Sequence, residues 1–169
     1  LMDVAAEYAN YKSDMTRTVP INGKFTERQR EIYNAVLNVK NEATDILRPG
    51  ISINDHHKEV AKIMESELIK IKLIDKDDVR KQDPGNPLYK KYFMHGTSHH
   101  IGLDVHDVGN FHININPGNI FTVEPGIYVR EEKIGVRLED NVLIGEKKNI
   151  NLMKDIPILI EEIEDIMNR

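Results

Sequence analysis

Four of the seven histidines in this sequence, His95, His99, His100 and His106, fall within the stretch MHGTSHHIGLDVHDVG between Met94 and Gly109, beside Asp104 and Asp107. Four acids elsewhere stand in strand-like surroundings: Asp3 in LMDVA, Asp14 in SDMTRT, Glu124 in FTVEPGIY and Glu139 in GVRLEDN. A carboxylate in an apolar strand is costly to bury without a cation or a strong donor. Read singly, two of these acids have an ordinary partner within reach. Arg17 can neutralise Asp14, and Arg137, two residues before Glu139 on the same strand face, can neutralise that acid. Asp3 and Asp14, eleven residues apart near the open ends of neighbouring strands, can also approach a single ion. Pro125 donates nothing to a ladder, so a sheet edge or bulge lies beside Glu124. Read together, four carboxylates and one imidazole form an Asp, Asp, His, Glu, Glu set able to hold two divalent ions. The chemistry of such a pair is a bridging hydroxide nucleophile.

The totals narrow the alternatives. The 169 residues, 40% hydrophobic and 30% charged, suit one folded domain. A net charge of −5 with no long Lys/Arg run argues against nucleic acid. No apolar run reaches the length of a membrane span, and the start LMDVAAEY carries no signal pattern. With no cysteine, thiolate metal sites, disulfides and thiol nucleophiles are all excluded. Any ion must be held by His, Asp and Glu, which suits Mn²⁺ or a catalytic Zn²⁺.

The elements that must position these residues can be read in outline. Leu1 to Tyr11 and Asp14 to Ile21 form a hairpin, rich in extended-type residues and followed by the turn INGKF. Thr26 and Gln29 make a capping box for a helix of about twenty residues, whose apolar positions Ile32, Val36, Val39, Ala43, Ile46 and Leu47 recur at helical spacing until RPG. Asn54 caps a second helix with Val60, Ile63, Met64 and Leu68 as its stripe, leaving His56 and His57 exposed in the first turn. Asp75 to Tyr92, with DPGNP, reads as an irregular connection. Two strands follow, Ile120 to Val129 and Ile134 to Ile144, and a last helix opens at Asp155 and Pro157.

Four ordered segments, LMDVAAEYANYKSDMTRTVPINGKF, HGTSHHIGLDVHDVG, FTVEPGIYV and IGVRLEDNVLI, resemble those of the pita-bread metallopeptidases, most closely the Xaa-Pro aminopeptidase (aminopeptidase P) and prolidase group. The resemblance covers the whole chain. It implies an α+β pita-bread fold, incomplete at its N-terminal side, with residues 1–169 as the C-terminal two thirds or so of one catalytic domain. It implies two divalent ions, usually manganese, with zinc or cobalt as alternatives. Asp3 matches the first ligand of one ion, Asp14 and Glu139 the bridging carboxylates, and His99 and Glu124 the ligands of the second.

His95 and His106 match pocket histidines that contact substrate, stabilise the intermediate or move protons, while Tyr128 and Arg137 match residues that orient carboxylates and balance charge. His100 matches no role, His112 is a surface residue, and Asp104 and Asp107 hold their loop through side-chain hydrogen bonds to backbone. The implied activity is hydrolysis of the bond between an N-terminal residue and a following proline. The substrate is thus a peptide with proline second, and the implied enzyme is a cytoplasmic homo-oligomer. Prolidases share the ligand set and differ in cleaving dipeptides. Metal-free creatinase-like hydrolases and non-catalytic pita-bread binding modules lack parts of it, whereas all five positions are filled here.

Overall fold

The computed structural model describes residues 1–169. Its first element is a nested hairpin. β1 (Met2–Val4) pairs antiparallel with β4 (Met15–Arg17), placing Asp3 opposite Thr16, and β2 (Glu7–Tyr8) pairs with β3 (Tyr11–Lys12) beyond them. The turn is Ala9–Asn10, both at positive φ (51° and 68°), the backbone a two-residue hairpin loop needs to match strand twist. The bend therefore lies inside the expected first strand, because YANY carries none of the usual glycine signal.

α1 (Glu27–Ile46) begins at the expected capping box: the Thr26 hydroxyl accepts from the Gln29 amide and the Gln29 side chain accepts from the Thr26 amide. α2 (Ile53–Lys70) is capped by Ser52 rather than Asn54; the Ser52 hydroxyl accepts from the Asp55 amide at 3.1 Å, and Asn54 instead reaches the exposed His112. His56 corrects the expectation of exposure. It is fully buried, four residues before Val60 on the apolar stripe, and its Nε2 donates to the Ala43 carbonyl of α1 at 2.8 Å. His57 is half-buried, with Nδ1 2.8 Å from the Thr97 hydroxyl. Asp75 to Tyr92 is also more regular than expected, holding α3 (Lys76–Lys81), capped by Asp75, and a 3₁₀ turn at Leu88–Lys91.

The two long strands of the sequence reading are each broken. β5 (Ile120–Val123) and β6 (Gly126–Val129) are separated at Pro125, and β7 (Ile134–Arg137) and β8 (Asp140–Leu143) at Leu138–Glu139. β5 pairs with β8, β8 with the short β9 (Ile150–Asn151), and β6 with β7, all antiparallel. The interruption lets β5–β8 and β6–β7 diverge as separate ladders. Their apolar faces meet α1 and α2 in one core that includes Ile32, Tyr33, Val36, Leu68, Phe121, Ile127 and Leu138. α4 (Ile160–Met167) starts later than Asp155 and Pro157 suggested, with Glu162 accepting from the Leu159 and Ile158 amides.

Four backbone strips lie side by side. Glu139 donates its amide to the Thr16 carbonyl (3.1 Å), joining β4 to the start of β8. β8 pairs with β5. β5 in turn holds residues 97–100, through Thr122 and Glu124 amides donating to the His99 and Thr97 carbonyls and an antiparallel bridge between His100 and Phe121. Thr26→Ala should cost about 1 kcal/mol of unfolding free energy by removing the α1 cap, read as a lower urea midpoint at unchanged slope.

Candidate metal centre

Each strip delivers a polar side chain to one place. The hairpin supplies Asp3 and Asp14, the break before β8 supplies Glu139, the end of β5 supplies Glu124, and the fourth strip supplies His99. Ligand-type atoms of Asp3, Asp14 and Glu139 lie within 4.8 Å of one another, as do those of His99, Glu124 and Glu139. Glu139 belongs to both groups. A third group joins Asp14 and His99 to His106, whose exposed ring stacks edge-on against that of His99 at 4.2 Å between centroids. Nothing in the linear order dictates this convergence; it follows from strip spacing and from the breaks that turn Glu124 and Glu139 inward.

The expected local neutralisations do not occur. Arg17 turns away from Asp14 to pair with Asp140 (2.8 Å), and Arg137 pairs with Asp3 (2.6 Å) rather than with Glu139. Strand geometry gives the reason for Arg17: it is odd-numbered on β4 and faces opposite to Asp14 and Thr16. The Thr16 hydroxyl donates to Glu139 Oε2 (2.7 Å) and accepts from Arg137 Nε (3.0 Å). Thr16 was not among the candidates, although its alternation with Asp14 in DMTRT was a signal for it. Asn141 was also missed: its side chain accepts from the Asp14 amide (3.0 Å) and donates to the Asp14 carbonyl (2.9 Å), fixing the backbone of that acid.

The remaining candidates form one chain of contacts. His95 Nδ1 donates to the Gly96 carbonyl, leaving Nε2 to accept from the Tyr128 hydroxyl at 2.8 Å. Arg137 approaches the same hydroxyl at 3.4 Å. Burial pushes the Tyr128 phenol above its ordinary range, so it stays a donor. His100 packs its ring between Phe111 and Phe121 at the base of the loop that carries His106. Asp107 caps that loop, accepting from the Leu103 and Val108 amides. Asp104 departs from expectation: its side chain is exposed and makes no such bond, and only its carbonyl accepts, from the Gly102 amide.

The electrostatics ask for cations. Burial, reinforced by Glu124, Asp14 and Asp3 and partly offset by the Thr16 hydrogen bond, raises the Glu139 carboxyl to about 8. Burial likewise raises Glu124 to about 7, with Arg137 opposing and Asp14 and Asp3 adding to the rise, and it raises Asp14 with help from Asp3. Burial holds the His99 imidazole below its usual value. Because His99 Nδ1 donates to the His100 carbonyl (2.9 Å), its Nε2 carries the lone pair, and that nitrogen faces Asp14 Oδ2 and Glu124 Oε1 at 3.5 Å each. Glu139 Oε1 is buried with no hydrogen-bond partner. A lone pair facing carboxylates and an orphaned carboxylate oxygen are mutually unfavourable unless a positive charge lies among them, and O and N donors of this kind fit hard or borderline dications.

Residues 1–146 match metallopeptidase family M24. The chain belongs to that family. It is 41% identical over 181 residues to an Xaa-Pro aminopeptidase of Escherichia coli (strain K12), covering 99% of this chain and 40% of that one, and 40% identical over 182 residues to an Xaa-Pro aminopeptidase of Haemophilus influenzae, covering 99% and 41%. The chain thus spans about 40% of the length of these curated relatives. Zn-substituted E. coli aminopeptidase P in complex with product superposes with a TM-score of 0.87 at 40% identity, over 98% of this chain and 40% of that chain. The aminopeptidase PepP of Pseudomonas aeruginosa gives 0.89 at 33% identity, over 98% and 40%. The pita-bread fold expected for an M24 chain is therefore the fold found.

In the metal-free protein, the folded pKa of Glu139 near 8 exceeds its ordinary 4.5, so the stability tied to its protonated form is complete below about pH 4.5 and is lost as pH rises through 8. Glu139→Gln cannot titrate. With EDTA present, urea unfolding should show this variant gaining on the parent by up to about 1.4 kcal/mol per pH unit between pH 5 and 8. A pH-independent difference would contradict the burial assigned to this carboxylate.

Proposed function

We propose that this chain carries the dinuclear metal centre of an aminopeptidase that hydrolyses the bond between an N-terminal residue and a following proline. The observation that carries the reading is the shared position of Glu139 between two ligand groups, with its buried Oε1 unpartnered and the His99 Nε2 lone pair aimed into the same space. Two ions, with manganese as the native metal and zinc or cobalt able to substitute, would be held by Asp3, Asp14, His99, Glu124 and Glu139. When bound, they supply Lewis-acid activation of water and of the scissile carbonyl. The likeness to proteins named Xaa-Pro aminopeptidase supports the substrate class. Cytoplasmic action and homo-oligomeric assembly belong to the same proposal. No helix is long and apolar enough to cross a membrane.

The chain's own residues have separable tasks in this reading. Glu124, half-buried at the break between β5 and β6, takes the proton released as the nucleophile forms and returns one to the departing prolyl nitrogen. His106, exposed beside His99, stabilises the negative charge that develops on the carbonyl oxygen. His95, held by Gly96 and Tyr128 and stacked edge-on against Phe93 at 5.0 Å, forms an aromatic wall suited to the proline ring. Arg137 fixes Asp3 and, through Thr16, Glu139. Proline lacks the amide N–H that general peptidases bind, so a surface that recognises the ring replaces that hydrogen bond.

Purified protein dialysed with Mn²⁺ should retain two ions per chain, counted by elemental analysis, and none after chelation. With the metal restored in a hydrolytically active preparation, Glu124→Gln should reduce hydrolysis of an Xaa-Pro-Yaa peptide by roughly 10²–10⁴-fold; near-parent turnover would remove Glu124 from proton transfer.

Substrate length separates the aminopeptidase from its prolidase alternative. Release of the first residue from Xaa-Pro-Yaa peptides should exceed cleavage of Xaa-Pro dipeptides in kcat/KM, whereas the reverse order assigns the chain to the dipeptidases.

A further inference from the structure

Directly behind the carboxylate cluster, on the opposite face of β4, lies a second buried ionic group of opposite balance. Arg17 and Lys40 both pair with Asp140, and the three side chains are 5%, 5% and 2% exposed. Two cations against one carboxylate leave the group net positive. Lys40 comes from the middle of α1, where a buried lysine is exceptional unless paired. Asn151 donates to the second oxygen of Asp140 at 2.7 Å, completing its coordination.

The guanidinium does more than neutralise Asp140. Its Nη1 donates to the carbonyl of Thr16 (3.0 Å) and to that of Glu139 (2.7 Å), and its Nε donates to the Pro157 carbonyl (3.0 Å). Thr16 and Glu139 are the two residues whose side chains meet on the other side, hydroxyl to carboxylate. Their backbones are already joined by the Glu139 amide and the Thr16 carbonyl. One planar group thus locks the spacing between β4 and the break before β8, and with it the position of the carboxylate shared by both ligand groups. A lysine at this position would keep the charge and lose the rigid fork.

We propose that Arg17, anchored by Asp140, is a positioning residue that sets the separation of the two ions by fixing the backbones of Thr16 and Glu139. This rests on the dinuclear reading above. Lys40 shares Asp140 but hydrogen-bonds to neither Thr16 nor Glu139.

The test uses the whole chain loaded with Mn²⁺ and two readouts besides activity: stepwise affinity by titration calorimetry, and the electron paramagnetic resonance spectrum, in which two ions sharing a bridging carboxylate give an exchange-coupled pattern. Arg17→Lys should weaken the second Mn²⁺ by about tenfold or more and replace the coupled pattern with the six-line signal of isolated ions. Asp140→Asn, which loosens the same fork from its anchored end, should do likewise, so misfolding of one variant leaves the other as the test. Lys40→Met should retain the coupled pattern and a parent-like affinity for the second ion. Parent-like coupling in Arg17→Lys or Asp140→Asn overturns the inference while the dinuclear reading stands. Equal loss of coupling in Lys40→Met also overturns it, because the effect then follows general destabilisation. Failure of the parent chain to bind two ions overturns both.

Discussion

The structure is organised around one electrostatic conflict: carboxylates brought together where all but the exposed Asp3 are largely shielded from water. Two unit charges at the 4.8 Å limit that bounds the ligand groups repel by roughly 3.5 kcal/mol at an effective dielectric near 20. A hydrogen bond to a charged group returns only about 1.5–3 kcal/mol. Thr16 on Glu139 and Arg137 on Asp3 therefore cannot neutralise the cluster between them. Without dications the protein yields by holding protons, which is why Glu139 and Glu124 are pushed to about 8 and about 7. In the dinuclear reading, the same strain that costs stability in the metal-free chain would favour divalent charge at the site.

Maintaining such a site requires a backbone that does not relax. Side-by-side strips with regular hydrogen bonds, backed by helices packed over one apolar core, meet that need better than loops would. Asp14, Glu124 and Glu139 stand at strand ends or breaks, where a side chain can turn inward without disrupting a ladder, while Asp3 projects from the middle of β1. The hydrogen bonds behind them are local and specific: Asn141 on the Asp14 backbone, Thr122 accepting from the His99 amide, and the His100 carbonyl setting the His99 tautomer. Charge alternates with depth. The acids face one another in front of β4, and behind it the excess is cationic.

Helix α1 was legible because its signals are local: the Thr26–Gln29 box and apolar residues at helical spacing dictate both its start and its buried face. The paired strands were legible as extended runs and Pro125 signalled the interruption beside Glu124, but the one at Leu138–Glu139 was not legible, since an apolar run does not reveal where two ladders diverge. His56 shows the limit in a single residue. An imidazole one turn before Val60 can face solvent or core with equal local ease, and only the nearby Ala43 carbonyl of α1 decides for burial. Asn54 was the expected cap of α2, and the structure gives that role to Ser52.

The sequence by itself determined which chemistries were open: with no cysteine, any ion had to be held by acids and imidazoles, and although each acid read singly was better explained by an ordinary ion pair, the order of the segments turned the reading to a carboxylate-rich dication site. Only the tertiary structure decided the pairings. Arg17 serves Asp140 because strand alternation turns it away from Asp14, and Arg137 serves Asp3, an acid remote in sequence that the fold brings alongside it. Convergence of five residues spread over more than a hundred positions is likewise a property of strip register, which no local pattern encodes.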